Sequence, residues 1–206
     1  MKPLTLLAIG TTVLFLPLWS LGQSTFIYDQ ESSTEEIALP NGSGVNIQMA
    51  SPYGQTFTPN LSAIDFIRLN LNDPIPGNGL GATLYVYLRS GSINGAILAS
   101  TTNVSLPNGF SGVVNFFFTN SVALTPSAIY CFQPFVLSGD QWNILAGEFM
   151  YAGGNAFYQG LPLSSSDVWF REGIVPEPSS ALIVLVGGGA FVWFRRRTLT
   201  SSSATH

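Results

Sequence analysis

The 206-residue chain is 46% hydrophobic and 13% aromatic but only 9% charged, with 11 acidic residues against 7 lysines and arginines. Lys2, Arg195, Arg196 and Arg197 lie at the ends, so the segment from Gln23 to Val175 holds three arginines against ten carboxylates, a net −7. That balance excludes nucleic acid as a partner, because phosphates need an array of Lys and Arg. Cys131 is the only cysteine and His206 the only histidine. An intramolecular disulfide, a His/Cys metal site and a His-based catalytic dyad all fall away, and no cofactor is implied.

The chain opens with MKPLTLLAIGTTVLFLPLWSLGQS, in which Lys2 precedes an apolar run ending near Leu18. Small residues follow at Ser20 and Gly22. This layout predicts a secretory signal peptide over residues 1–22, cut between Gly22 and Gln23. Pro17 would end the apolar helix shortly before the cut.

Residues 23–173 read as one extracytoplasmic domain. Strands are expected at 25–29, 53–58, 63–71, 82–90, 97–104, 112–119, 128–137, 142–146, 155–159 and 167–172. The linkers NDPIPGNGLG, SGSING, LPNGFSG and LSGD are rich in turn formers, and no stretch of the body keeps a helical apolar rhythm. Alternation is clear in two places. Leu84, Val86 and Leu88 share one face while Tyr85, Tyr87 and Arg89 share the other, and Ile67, Leu69 and Leu71 alternate with Arg68 and Asn70. One inward face and frequent hairpins predict an all-β fold, a two-sheet jelly-roll-like antiparallel sandwich, with a closed barrel as the alternative. Residues 30–50, with Glu31, Glu35 and Glu36, are read as a solvated connection.

Chemistry is sparse in this body. Asp65, Asp73, Asp140, Glu148, Asp167 and Glu172 show no spacing that singles out a glycosidase pair, and Glu172 is expected at the surface or paired with Arg171 or another edge charge. G-x-S-x-G, H-E-x-x-H, a P-loop and a complete calcium loop are absent from the sequence. No enzymatic activity is expected. Cys131, in the apolar run AIYCFQPFV, reads as a small buried hydrophobe. Trp142, Tyr151, Tyr158 and Trp169 sit late in the chain beside Asp140, Asn143, Asn155 and Gln159. Their rings either stack on sugars, as in a carbohydrate-binding module, or fill the core.

The tail reads VPEPSSALIVLVGGGAFVWFRRR. From Ser179 to Phe194 run sixteen uncharged residues. As a helix they reach about 24 Å, against a hydrocarbon core of about 30 Å. Trp193 suits the interface and Arg195, Arg196 and Arg197 can snorkel towards headgroups, so the flanks support a transmembrane helix over 179–194. The positive-inside bias puts residues 198–206 in the cytoplasm and the body outside, in agreement with the signal peptide.

Pro176-Glu177-Pro178, an apolar helix and an arginine cluster, in that order over residues 174–197, closely resemble the PEP-CTERM sorting signal of Gram-negative bacteria. The resemblance implies recognition by an exosortase, a membrane-embedded protease that removes the anchor and hands the body to the envelope or exterior. It further implies an association with exopolysaccharide or biofilm. The prolines hold Glu177 in extended backbone outside the membrane, as a substrate for another enzyme. YGQTFTP, AIDFIRLNL, GATLYVYLR, GAILAS, VALTPSAIYCFQPF and DVWFRE, across residues 50–173, resemble a loosely defined extracellular β-sandwich found ahead of bacterial anchors, to which no settled activity attaches. The expected role is therefore a non-catalytic structural or adhesive envelope protein, with the glycan-binding module as the alternative.

Overall fold

A computed structural model describes residues 25–34 and 42–176. The described residues contain no helix, hence none long and apolar enough to cross a membrane. They form two seven-stranded antiparallel sheets. The expected signal peptide and apolar tail lie outside the described residues.

The first sheet is built on β4 (Ala63–Asn72) and β8 (Ser111–Ala123), which pair from Ala63↔Ala123 to Asn72↔Ser111. On the other edge of β4 two strands share its length. β14 (Phe170–Ile174) takes Phe66 to Leu69, and β10 (Asn143–Gly147) takes Leu71 and Asn72. The chain enters this fork at β13 (Asp167–Val168), which pairs with β10, and Trp169 donates its N–H to the Leu145 carbonyl at 2.9 Å before β14 crosses to β4. β1 (Ile27–Glu31) lies along β14, and β2 (Gly42–Asn46) along β10.

β2 falls inside the segment read as a solvated connection. Its sequence GSGVN carries no apolar rhythm, so the strand exists because the β10 edge needs hydrogen-bond partners. Gly44 also permits a close approach, since a Cβ there would sit 2.7 Å from the Asn143 amide nitrogen.

The second sheet pairs β5 (Ala82–Ser90) with β9 (Tyr130–Gly139) along their length. β3 (Gly54–Phe57) continues from β9 to β11 (Ala156–Tyr158) and β12 (Leu161–Leu163). The far edge of β5 carries two short strands, β6 (Ile97–Ser100) and β7 (Val104–Leu106). Pro134 tolerates its place within β9 because its partner on β5, Val86, turns its own N–H and carbonyl to Thr101, and β3 pairs only Tyr130 to Phe132.

Both edges are stitched between sheets. Thr101, at the break between β6 and β7, bridges to Phe118 of β8. Its N–H donates to the Val86 carbonyl and its hydroxyl oxygen accepts the Val86 N–H, each at 2.9 Å. This is why the expected strand 97–104 is split in two. At the opposite edge buried Gln55 donates to Asp167 Oδ1 and accepts the Val168 N–H, both at 3.1 Å.

Leu84, Val86, Leu88 and Phe132 of the second sheet pack against Ile64, Ile67, Leu69, Leu71 and Phe170 of the first. A register shift between Ile64 and Phe66 turns Phe66 to the outer face. There it joins Phe26, Tyr28 and Phe117 at centroid distances of 4.8, 5.8 and 6.0 Å.

Gly173 is required by the approach of β1, because a Cβ there would lie 1.9 Å from the Ile27 carbonyl oxygen. Gly173→Ala is expected to force β1 away from β14 and to destabilise the domain by about 1–3 kcal/mol. A urea melt, with loss of amide-exchange protection confined first to β1, checks this.

Candidate functional site

Of the late-chain aromatics, Trp142 and Trp169 are both fully buried. Trp142 packs in the core beside Phe110 at 6.1 Å. Trp169 lies on the outer face of the first sheet, with the Arg171 guanidinium 5.3 Å over its ring. Neither offers a ring face to a sugar, and the core-filling alternative holds for Trp142. Tyr151 is half-buried, and its hydroxyl donates to Gln30 Oε1 at 2.9 Å while its ring meets Phe170 edge-on at 5.1 Å. Tyr158 alone is substantially exposed, at 40%. The four residues do not converge on one groove.

The carboxylates considered for catalysis mostly hold backbone. Asp73 accepts the N–H groups of Ile75 and Gly109 at 2.8 Å each, and Asp65 that of Val175 at 2.7 Å. Asp167 accepts from Gln55 and from the Tyr151 N–H, and Asp140 accepts from the Asn78 amide. Asp29 binds the N–H groups of Asn60 and Leu61 at 2.7 and 3.0 Å, so it ties β1 to the β3–β4 turn. Such bonds consume the lone pairs that a general base would use.

Glu172 departs from its expected surface position. It follows Phe170 on the inward face of β14 and is fully buried, while Arg171 points outward to Glu31 at 3.2 Å. Two-residue alternation therefore separates the neighbours that the sequence suggested would pair. Neither Glu172 carboxyl oxygen has a partner of full hydrogen-bond geometry. Burial pushes its pKa up to about 9, the neighbouring Asp29 carboxylate adds to the rise, and the Gln30 backbone offsets it only in part. Cys131, also fully buried, has its thiol pushed up to about 12 by desolvation and is no nucleophile at neutral pH.

A part-exposed aromatic face lies elsewhere, on the outside of the second sheet, where Tyr85 and Tyr87 are half-buried and Phe135 is exposed. Register places Tyr85 opposite Phe135 and Tyr87 opposite Gln133. The Tyr85 and Phe135 rings are 5.4 Å apart and tilted by 38°, while Tyr87 meets Tyr85 edge-on at 4.9 Å. Tyr85 donates its hydroxyl proton to the Tyr87 oxygen at 3.0 Å. Arg89 stands 5.5 Å over the Tyr87 ring, held by Gln133 Oε1 at 2.8 Å and the Gly95 carbonyl at 2.9 Å. The 91–96 turn folds back with Ile93 buried near Gly54 and walls the row at this end. Alternation put Tyr85, Tyr87 and Arg89 together on the face opposite Leu84, Val86 and Leu88. The overlooked signal was two aromatics in succession on a side that ordinarily carries polar groups.

Pro176 is the last described residue of the PEP motif; Glu177, Pro178, Arg195, Arg196 and Arg197 lie outside the described residues. Among the described residues no group of three His, Cys, Asp or Glu side chains is placed to hold a metal ion. No family model matches the chain, and no curated protein matches it either.

Proposed function

We propose that the sandwich is the exported cargo of its C-terminal tail: a non-catalytic, structural or adhesive surface module delivered by an exosortase through Pro176-Glu177-Pro178. In this reading a jelly-roll-like domain follows the signal peptide over 1–22. The apolar helix over 179–194 and Arg195 to Arg197 hold the precursor in the membrane until it is processed. Exopolysaccharide is the surrounding partner that the resemblance implies.

One observation carries most weight. β1 begins at Ile27, shortly after the expected cut, and pairs through Ile27↔Ile174 with β14, the last strand. First and last strands are thus neighbours, and Val175, the first residue past β14, is fastened to Asp65. A sandwich whose last strand ends at Ile174, directly ahead of the PEP motif, would let a protease act there without unfolding the domain.

The test is intact mass and membrane fraction of the native protein with and without Glu177→Ala. The wild type is expected to lose its apolar tail and leave the inner membrane, and the variant to remain full-length there. If both stay full-length in the inner membrane, the tail is only an anchor.

A further inference from the structure

We propose that the outer face of the second sheet, along Phe135, Tyr85, Tyr87 and Arg89, binds an acidic polysaccharide, with pyranose rings on the aromatics and a uronate carboxylate on Arg89. This deepens the adhesive reading above, on which it rests for the polymer being within reach.

Charge singles out the ligand. Arg89 is the only charged residue in the seven strands of this sheet; the charges borne by strands otherwise belong to the first sheet. In a body whose net charge is strongly negative, a sheet with one cation and no carboxylate is the part an anion can approach without repulsion. Gln133 and Gly95 hold two of the five guanidinium N–H donors and fix the fork in place, and the remainder can take a carboxylate oxygen pair. Because both anchoring partners are neutral, the positive charge is not cancelled locally.

Shape and polarity agree. Tyr85 and Phe135, with Phe135 40% exposed, form a shallow platform on paired strands. The C–H face of a pyranose needs such a surface, and aromatic faces carry the negative quadrupole that attracts those hydrogens. Tyr87 stands edge-on behind them, and since its oxygen already accepts from Tyr85, its own O–H remains to donate to a sugar hydroxyl. From Tyr85 to Arg89 the strand runs about 13 Å, so the row is matched to an extended polymer and not to one sugar. The platform is rigid because β5 is paired along both edges, by β9 and by β6 and β7. Little ordering is therefore needed on binding.

Affinity electrophoresis of the full-length chain in detergent, through gels with and without polygalacturonate, tests the proposal, and tail cleavage plays no part in the result. The wild type is expected to be retarded, less so as salt rises from low to high. Tyr85→Ala and Phe135→Ala are each expected to weaken retention at least about tenfold. Arg89→Gln should remove the salt dependence and reduce retention by polygalacturonate. Both aromatic substitutions are at outward positions, and a thermal melt of each separates lost binding from lost fold. Tyr158→Ala, away from the platform, should leave retention unchanged. Absence of retention in the wild type, retention that survives both Tyr85→Ala and Phe135→Ala in folded protein, or retention abolished by Tyr158→Ala overturns the proposal. A failure here with normal tail processing leaves the sorting reading standing, and the converse result leaves the platform standing.

Discussion

Stability is expected to fall steadily as pH rises from about 5 to 9, and Glu172→Gln should abolish most of that slope. Glu172 has an ordinary pKa of 4.5 when unfolded and about 9 in the folded protein, chiefly because burial disfavours its charge. Below pH 4.5 both states are protonated and the carboxyl costs nothing. Between the two values the unfolded chain has released the proton while the folded chain still binds it, so unfolding becomes more favourable by about 1.4 kcal/mol per pH unit. Above about 9 both states are ionised and the loss stops growing. Glutamine keeps the shape, cannot ionise, and its amide can donate to the Asp29 carboxylate. At pH 8, about 3.5 units above the unfolded value, the variant is expected to exceed the wild type by on the order of 5 kcal/mol, and at pH 4 to match it. Urea melts across this range decide the matter: parallel slopes for both proteins would mean that Glu172 is ionised in the fold. The series should end near pH 9, before Cys131 and Tyr151, each raised to about 12, add their own slopes. The weakness would centre on β1 and β14, the strands at which the sandwich meets its tail.

Trp142→Ala is expected to destabilise the domain by about 3–5 kcal/mol, a loss of Tm on the order of 10 °C. The indole is fully buried between the sheets, against Phe110, and the surrounding strands cannot close over the void because they are tied at both edges. Tyr158→Ala removes an exposed ring with one edge contact to Tyr53 and should cost under about 1 kcal/mol. Differential scanning calorimetry of the two variants separates a core residue from a surface one. A small loss for Trp142 would mean that its ring is accessible after all.

The two strongest strand rhythms carried over almost unchanged: 82–90 is β5 to the residue, and 63–71 is β4 less its last residue. In both, apolar side chains recur every second position, and a pleated strand with one dry face demands that period. The weak segments failed for the complementary reason. GSGVN and LPL have no rhythm of their own, and they become β2 and β12 because a neighbouring edge supplies hydrogen bonds. The seam at Thr101 was equally hidden, since it depends on β5 and β8 arriving on either side of one residue.

Candidate binding residues were the least legible part. Position near glycine-rich loops left Trp142 and Trp169 open between sugar stacking and the core, because burial depends on which strands stack over them, and that is a property of the whole sandwich. Tyr85, Tyr87 and Arg89 were correctly placed on one side of a strand, but only the register with β9 brought Phe135 and Gln133 alongside.

By itself the sequence determined the all-β class of the body and the absence of a usable histidine or disulfide. It also carries the order of PEP motif, apolar run and arginines on which the sorting reading rests. These are local or compositional properties, readable without knowing what touches what. Only the tertiary structure decided that Glu172 is buried beside Asp29, that Trp142 and Trp169 are enclosed, and that an aromatic row ending in one arginine faces outward. Each of these depends on long-range pairing, where one residue's register against a distant strand sets which side meets water.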